Sequence, residues 1–117
     1  MASMKISVIG MGYVGIQLAS AFGQENETIG FDFDRAKLEA YRSGEDPAGE
    51  VSKERLTSAS HLLFSDRPSD LTGSDIYIVV VPTPIDIARR PDLEPLIKAS
   101  KLVGSLIEKG ATVVYES

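Results

Sequence analysis

Apolar positions along this chain change period several times, and each change marks an element. Lys5 to Ile9 is a short apolar run closed by Gly10, and Glu27 to Phe31 is a second one closed by Asp32. Leu62 to Phe64 is a weaker third, Asp75 to Val81 a fourth and Ala111 to Tyr115 a fifth. Each is apolar on both faces, as strands covered by helices on either side must be. Between the first two, Val14, Leu18, Ala21 and Phe22 recur at helical spacing and predict one stripe laid on a sheet. A second helix is expected from Asp34 to about Ser43 and Gly44, with Asp34 as its cap. The polar stretch Glu45 to Ser60, with Pro47 and Gly49, predicts a loop and one short helix. A last helix is expected after Asp92 as N-cap, with Pro95 in its tolerant first turn. Its buried face would be Leu93, Leu96, Ile97, Val103, Leu106 and Ile107, with Lys109 and Gly110 as its stop.

Strands alternating with helices in this way predict βαβ units and an α/β fold: a parallel, doubly wound sheet with helices on both faces. A complete sheet of order 3-2-1-4-5-6 would need one more strand and helix, so the chain reads as a fragment truncated after the fifth strand. Met1, Ala2 and Ser3 read as a start or cloning extension, and residues 4–117 as the domain itself.

Composition narrows the function by exclusion. With 43% apolar and 25% charged residues among 117, the chain has the makeup of an ordinary globular domain. A net charge of -5, spread along the chain, argues against a basic nucleic-acid face. Cysteine is absent, which excludes disulfides, Cys-based zinc sites and a cysteine nucleophile within these residues. The single His61 is read as a strand-entrance residue, not as half of a catalytic pair. No apolar run approaches the roughly 18 residues of a membrane span and no signal-peptide core is evident, so a cytoplasmic protein is expected.

The chemistry gathers at the carboxyl ends of the predicted strands. Gly10, Met11, Gly12, Tyr13, Val14 and Gly15 spell G-x-G-x-x-G directly after a strand and at the opening of a helix, the fingerprint of a Rossmann-type dinucleotide fold. Gly10 would allow the tight turn, Gly12 the close approach of a pyrophosphate, and Gly15 close packing of helix on strand. The helix N-terminus would offer free N–H groups and partial positive charge to the phosphates. Tyr13 and Val14 sit in the same turn and count as candidate cofactor contacts; Tyr13 would either pack over the cofactor or cover the sheet edge.

Asp32 lies seventeen residues past Gly15, where an acidic side chain would accept both hydroxyls of an adenine ribose and repel a 2′-phosphate. That favours NAD over NADP, although Arg35 and Lys37 follow closely, and FAD and S-adenosylmethionine sites share glycine-rich first turns. Val81, Pro82, Thr83 and Pro84 close the fourth strand, next to the reversal of strand order where ligands of open α/β sheets lie. The prolines would stiffen that exit and fix the Thr83 hydroxyl, with Pro82 itself a candidate contact. Glu116 and Ser117 would reach the same edge. Arg89 and Arg90 read as a solvated loop, available to an anionic substrate if a phosphate site lies near.

The runs KISVIGMGYVG, GFDFD, SDIYIVVVPTPID, RPDLEPLIKAS and VVYES together resemble the UDP-glucose/GDP-mannose dehydrogenase family, most closely its UDP-N-acetylhexosamine branch, over nearly the whole chain from Met4. The resemblance implies an enzyme of bacterial surface polysaccharide synthesis. Such an enzyme oxidises C6 of a UDP-sugar to the carboxylate with two NAD molecules in succession, through a cysteine-bound thiohemiacetal and thioester. It further implies that Gly10, Gly12 and Gly15 cradle the pyrophosphate and that Asp32 and Lys37 hold the adenosine ribose. Thr83 would lie near the nicotinamide, and Ser117 would open the next cofactor-facing turn. The family's cysteine, its sugar pocket and its dimerising helix belong to segments not present here, so this piece is expected to be inactive alone and the longer parent to be a homo-oligomer. Two other readings remain: an NAD enzyme of the 6-phosphogluconate or hydroxyacid dehydrogenase type, and a nucleotide-sensing module without chemistry.

Overall fold

Alternation along the strands builds two cores. In the computed structural model, which describes residues 4–49, 51–82, 85 and 88–116, Ile6 and Val8 of β1 (Lys5–Ile9) join one apolar cluster and Ile9 joins the other. Beside β1 lie β2 (Glu27–Phe31) and β4 (Ile76–Val79), with β3 (Leu62–Ser65) and β5 (Thr112–Tyr115) outside them. All pairings are parallel and the order is β3-β2-β1-β4-β5. This is the expected doubly wound Rossmann-type arrangement, with the direction of winding reversing between β1 and β4.

On one face, α1 (Tyr13–Phe22), α2 (Arg35–Arg42) and α3 (Lys53–Ser58) bring Ile16, Leu38 and Leu56 onto Val8 and Ile78. On the other, α4 (Glu94–Leu106) brings Ala99 and Val103 onto Phe31, Tyr77 and Val79. Fully burying an aliphatic or aromatic side chain of this size contributes about 1.5 to 3 kcal/mol, so these two layers carry most of the stability. Asp34 caps α2 as expected, its Oδ1 accepting from Lys37 N at 3.2 Å. His61 stands at the entrance to β3, its main chain bonded to Gly23 and Thr28.

Several expectations need correction. In α1 the fully buried residues are Gly15, Ile16, Ala19 and Ser20; Val14, Leu18 and Phe22 flank them and Ala21 is exposed. The helix is wedged so closely on the sheet that, apart from Ile16, small residues take the contact line. In α4 the contact stripe is Leu96, Ala99, Val103 and Leu106, successive at three and four residues. Ile97 falls off that stripe, while Leu93 and Ile107 are the flanking caps, and all three are exposed. Asp92 is not the cap itself, but its Oδ1 accepts from Glu94 N at 3.0 Å, a shift of one residue. The fifth strand, read as covered on both faces, packs Val113 into the α4-side core, while Val114 and Tyr115 are exposed and Tyr115 meets α4 through its hydroxyl, 3.1 Å from Ser100 Oγ. A 3-10 turn, Pro68–Leu71, has no periodic signal because it is a single turn; it seats Leu71 in the α4-side core.

Candidate functional site

The reversal of strand order opens a cavity of about 690 Å³ at the carboxyl ends of β1, β2 and β4, within the usual range of small-molecule sites. Gly10, Gly12, Tyr13 and Val14 border it from the turn between β1 and α1, Asp32 and Lys37 from the end of β2 and the start of α2, and Pro82 from beyond β4. Glu116, past β5, reaches the same rim. Gly15 is not on the rim but beneath it. Thr83, Pro84 and Ser117 lie outside the described residues. Arg89 and Arg90 are exposed and do not line the cavity.

Each glycine of the turn meets a different surrounding. Gly10 has φ +107°, and a Cβ there would lie 2.9 Å from the Val80 carbonyl oxygen. Its N–H donates to Phe31 O at 2.8 Å, tying the end of β1 to the end of β2. A Cβ on Gly15 would sit 1.7 Å from Gly10 O. Gly12 is the reverse case, since no atom of the described residues lies within 4 Å of the position its Cβ would take. That open space faces the cavity beside the start of α1, where the first-turn N–H groups have no intrahelical partner.

Asp32 does two jobs in the ligand-free fold. Its Oδ2 accepts from Met11 N at 2.8 Å and its Oδ1 from Asp34 N at 2.9 Å. Each carboxylate oxygen keeps a further lone pair for the cavity side. Lys37 Nζ stands 3.7 Å from Asp32 Oδ2. Arg35, by contrast, is turned away toward β3, its Nε 3.1 Å from Asp66 Oδ2, which holds the Asp66 carboxyl below its ordinary value. The groups present are those a dinucleotide requires: helix N–H donors, an open glycine face and a carboxylate acceptor, Asp32, whose side chain is 16% exposed.

Other rim residues escaped the sequence. Phe33 follows Asp32, packing edge-on against Phe31 with centroids 5.0 Å apart, and Lys98 Nζ lies 3.9 Å above its ring. Glu94, Pro95 and Lys98 all border the cavity from the first turns of α4. The signal for them is topological: a helix that follows β4 must begin at the carboxyl edge, so its opening residues face whatever lies there.

Beneath the turn, Tyr41 of α2 donates from its hydroxyl to Met11 O at 2.9 Å, with its ring against Phe64. Burial, then the charges of Asp46 and Asp32, push its pKa from 10 up to about 12. The folded state therefore holds this proton more tightly than the unfolded one. The resulting stabilisation is complete below pH 10 and is lost as pH rises toward 12. Denaturant midpoints measured between pH 9 and 12 should fall more steeply for the wild-type chain than for Tyr41→Phe; parallel curves would contradict the assignment.

Comparison with known proteins gives the same answer from outside. Residues 4–117 match the model of the UDP-glucose/GDP-mannose dehydrogenase family, NAD binding domain. The chain is 43% identical over its whole length to UDP-N-acetyl-D-glucosamine 6-dehydrogenase of Pseudomonas aeruginosa, spanning 28% of that protein. It is 41% identical over 97% of its length to the Salmonella typhi enzyme of that name, spanning 27% of it. Among solved structures, a UDP-D-ManNAc dehydrogenase from Pyrococcus horikoshii superposes with a TM-score of 0.84 at 31% identity, over 97% of this chain and 28% of that one. The chain thus spans little more than a quarter of the relatives it matches. It belongs to the UDP-glucose/GDP-mannose dehydrogenase family, of which it is the NAD-binding domain.

Proposed function

We propose that this domain holds NAD for a longer dehydrogenase that oxidises C6 of a UDP-N-acetylhexosamine to the uronate, for a bacterial surface polysaccharide. The observation that carries the reading is the shared cavity at the switch point, where the open face of Gly12 and the carboxylate of Asp32 border one space. Bound there, NAD supplies the hydride acceptor. The chain's own part is recognition: Gly10, Gly12 and Gly15 shape the turn, and the α1 N-terminus with Tyr13 and Val14 meets the pyrophosphate. Asp32 accepts from the adenosine ribose with Lys37 beside it, and Pro82 borders the nicotinamide half, for which the family resemblance implies Thr83 and Ser117 as further contacts.

Discrimination against NADP follows from the same residues. Asp32 would repel a 2′-phosphate and already holds Lys37 at 3.7 Å, while Arg35 is paired with Asp66 away from the cavity. The chain has no cysteine, so the covalent step implied for the family would use a residue from another segment of a longer, homo-oligomeric and cytoplasmic enzyme. Neither membrane nor nucleic acid enters this reading. Among the described residues no helix is long and apolar enough to cross a membrane.

Calorimetric titration with NAD and NADP tests the reading, with Gly12→Ala as the informative variant. Because nothing fills the space at its Cβ, this variant should melt like the wild type while binding NAD about tenfold more weakly, the equivalent of one lost charge-assisted hydrogen bond. Wild-type affinity in Gly12→Ala would remove the pyrophosphate from this turn, and preference for NADP would remove the ribose from Asp32. In a longer protein carrying this domain, NADH release with UDP-N-acetylglucosamine, UDP-N-acetylgalactosamine and UDP-glucose would sort the substrates.

A further inference from the structure

Met11 is the one residue of the glycine-rich turn whose side chain is fully buried, and both of its main-chain groups are held by side chains from β2's end and α2. Its N–H donates to Asp32 Oδ2 at 2.8 Å, and its carbonyl accepts from the Tyr41 hydroxyl at 2.9 Å. The second bond has no counterpart in the sequence fingerprint, because thirty residues separate the partners. Tyr41 is itself well fixed, 6% exposed, with its ring 5.5 Å from that of Phe64.

We propose that Tyr41 is a positioning residue for the dinucleotide, holding the Met11 carbonyl inward so that the Gly12 N–H points into the cavity. The step rests on peptide geometry. Met11 C=O and Gly12 N–H belong to one planar unit, and among the described residues no peptide is cis. In a trans unit the two groups point in opposite directions. A carbonyl anchored in the α2-side core therefore sends the N–H out of that core, on the side where Gly12 borders the cavity. An anchor matters at this point because glycine flanks Met11 on both sides, and glycine opposes rotation of its neighbouring peptide less than any other residue. Without the hydroxyl, the 11–12 peptide would be free to turn its carbonyl toward the phosphates, which would repel them. The raised pKa keeps the hydroxyl a donor at every working pH.

This inference rests on the cofactor reading above, and a ligand series separates the two. Tyr41→Phe keeps the ring and removes the donor; Tyr41→Leu keeps apolar bulk alone. The purified chain and both variants are titrated with NAD, ADP-ribose and adenosine, by calorimetry for the first two and by amide shifts for the third. The expected result is about tenfold weaker binding of NAD and ADP-ribose in both variants, with adenosine unchanged, since only the pyrophosphate meets Gly12 N–H. Loss of affinity equal for all three ligands would mean general loosening of the fold and would overturn the proposal, as would variants that bind NAD like the wild type. A wild-type chain without affinity for NAD would remove the cofactor reading and this proposal together. Should neither variant fold, the wild type decides: on addition of ADP the Gly12 amide signal must move as a hydrogen-bonded N–H does, and a Gly12 signal that stays in place while Asp32 responds would overturn the assignment.

Discussion

Gly15→Ala is expected to cripple the fold itself, and NAD binding with it. The added methyl would lie 1.7 Å from Gly10 O and 2.9 Å from Gly10 C. Both are backbone atoms, so no side chain can rotate aside to make room. Either α1 must lift from β1 or the turn after β1 must open. Lifting α1 uncovers Ile16 and Ala19, both fully buried against the sheet. Opening the turn strains Gly10, whose N–H bonds Phe31 O and whose Cβ position is already closed by Val80 O. Overpacking costs about 1 to 3 kcal/mol where neighbours can yield; here they are main chain, so a loss above about 3 kcal/mol is expected, a large share of a domain's total stability. Denaturant unfolding measures it directly. A Gly15→Ala chain with the wild-type midpoint would mean that the helix sits farther from the strand than described.

The contrast with Gly12→Ala shows how much the G-x-G-x-x-G spelling could tell. The sequence places three glycines and suggests a task for each, but the tasks depend on which backbone folds against them, from five residues away at Gly15 to seventy at Gly10. Gly10 is confined by Val80 and Gly15 by Gly10, whereas among the described residues nothing confines Gly12. Gly30, outside the fingerprint, is confined as well: a Cβ there would meet Met11 Sδ at 2.9 Å and Phe64 at 3.0 Å. Its place in a strand gave no hint of that, because the pressure comes from a side chain on another element.

The elements themselves were legible where burial on two faces leaves unbroken apolar runs, as in Lys5–Ile9 and Glu27–Phe31, both found with the expected limits. The fourth run was read as Asp75 to Val81, while the strand is Ile76–Val79. The ladder does extend past both ends, through Asp75 N to Lys5 O and Val80 N to Ile9 O. Helix faces were harder. Ala19 and Ala99 carry the contact because the helices lie close to the sheet, and a stripe drawn through the largest apolar residues cannot see that distance. At the site, residues belonging to a recognised motif were found, and those beside it, such as Phe33, or delivered by topology were not. Phe33, Lys98 and Tyr41 have no motif of their own; only the winding of the sheet brings α4 and α2 to the same opening.

Asp32→Ala should do damage of two separable kinds. In the ligand-free chain it removes the acceptors of Met11 N–H and Asp34 N–H. Leaving such a donor unpaired in a half-buried site costs about 1 to 3 kcal/mol, so the melting midpoint should fall even with no cofactor present. For binding, two ribose hydroxyls lose a charged acceptor worth about 1.5 to 3 kcal/mol each, which predicts NAD affinity weakened at least about a hundredfold. The preference for NAD over NADP should vanish as well, because the charge that repels a 2′-phosphate is gone while Lys37, 3.7 Å away in the wild type, stays. Asp32→Asn divides the two effects. Its amide retains one acceptor oxygen for either Met11 or Asp34 and turns an amide NH₂ toward the other. It should therefore lose stability like the alanine variant to a lesser degree, yet still lose the discrimination between cofactors. Melting curves and titrations on the same preparations read the two effects side by side. A chain that lost stability in Asp32→Ala but bound NAD and NADP as before would reduce this carboxylate to a strut for the glycine turn, and the ribose would have to be sought elsewhere on the cavity rim.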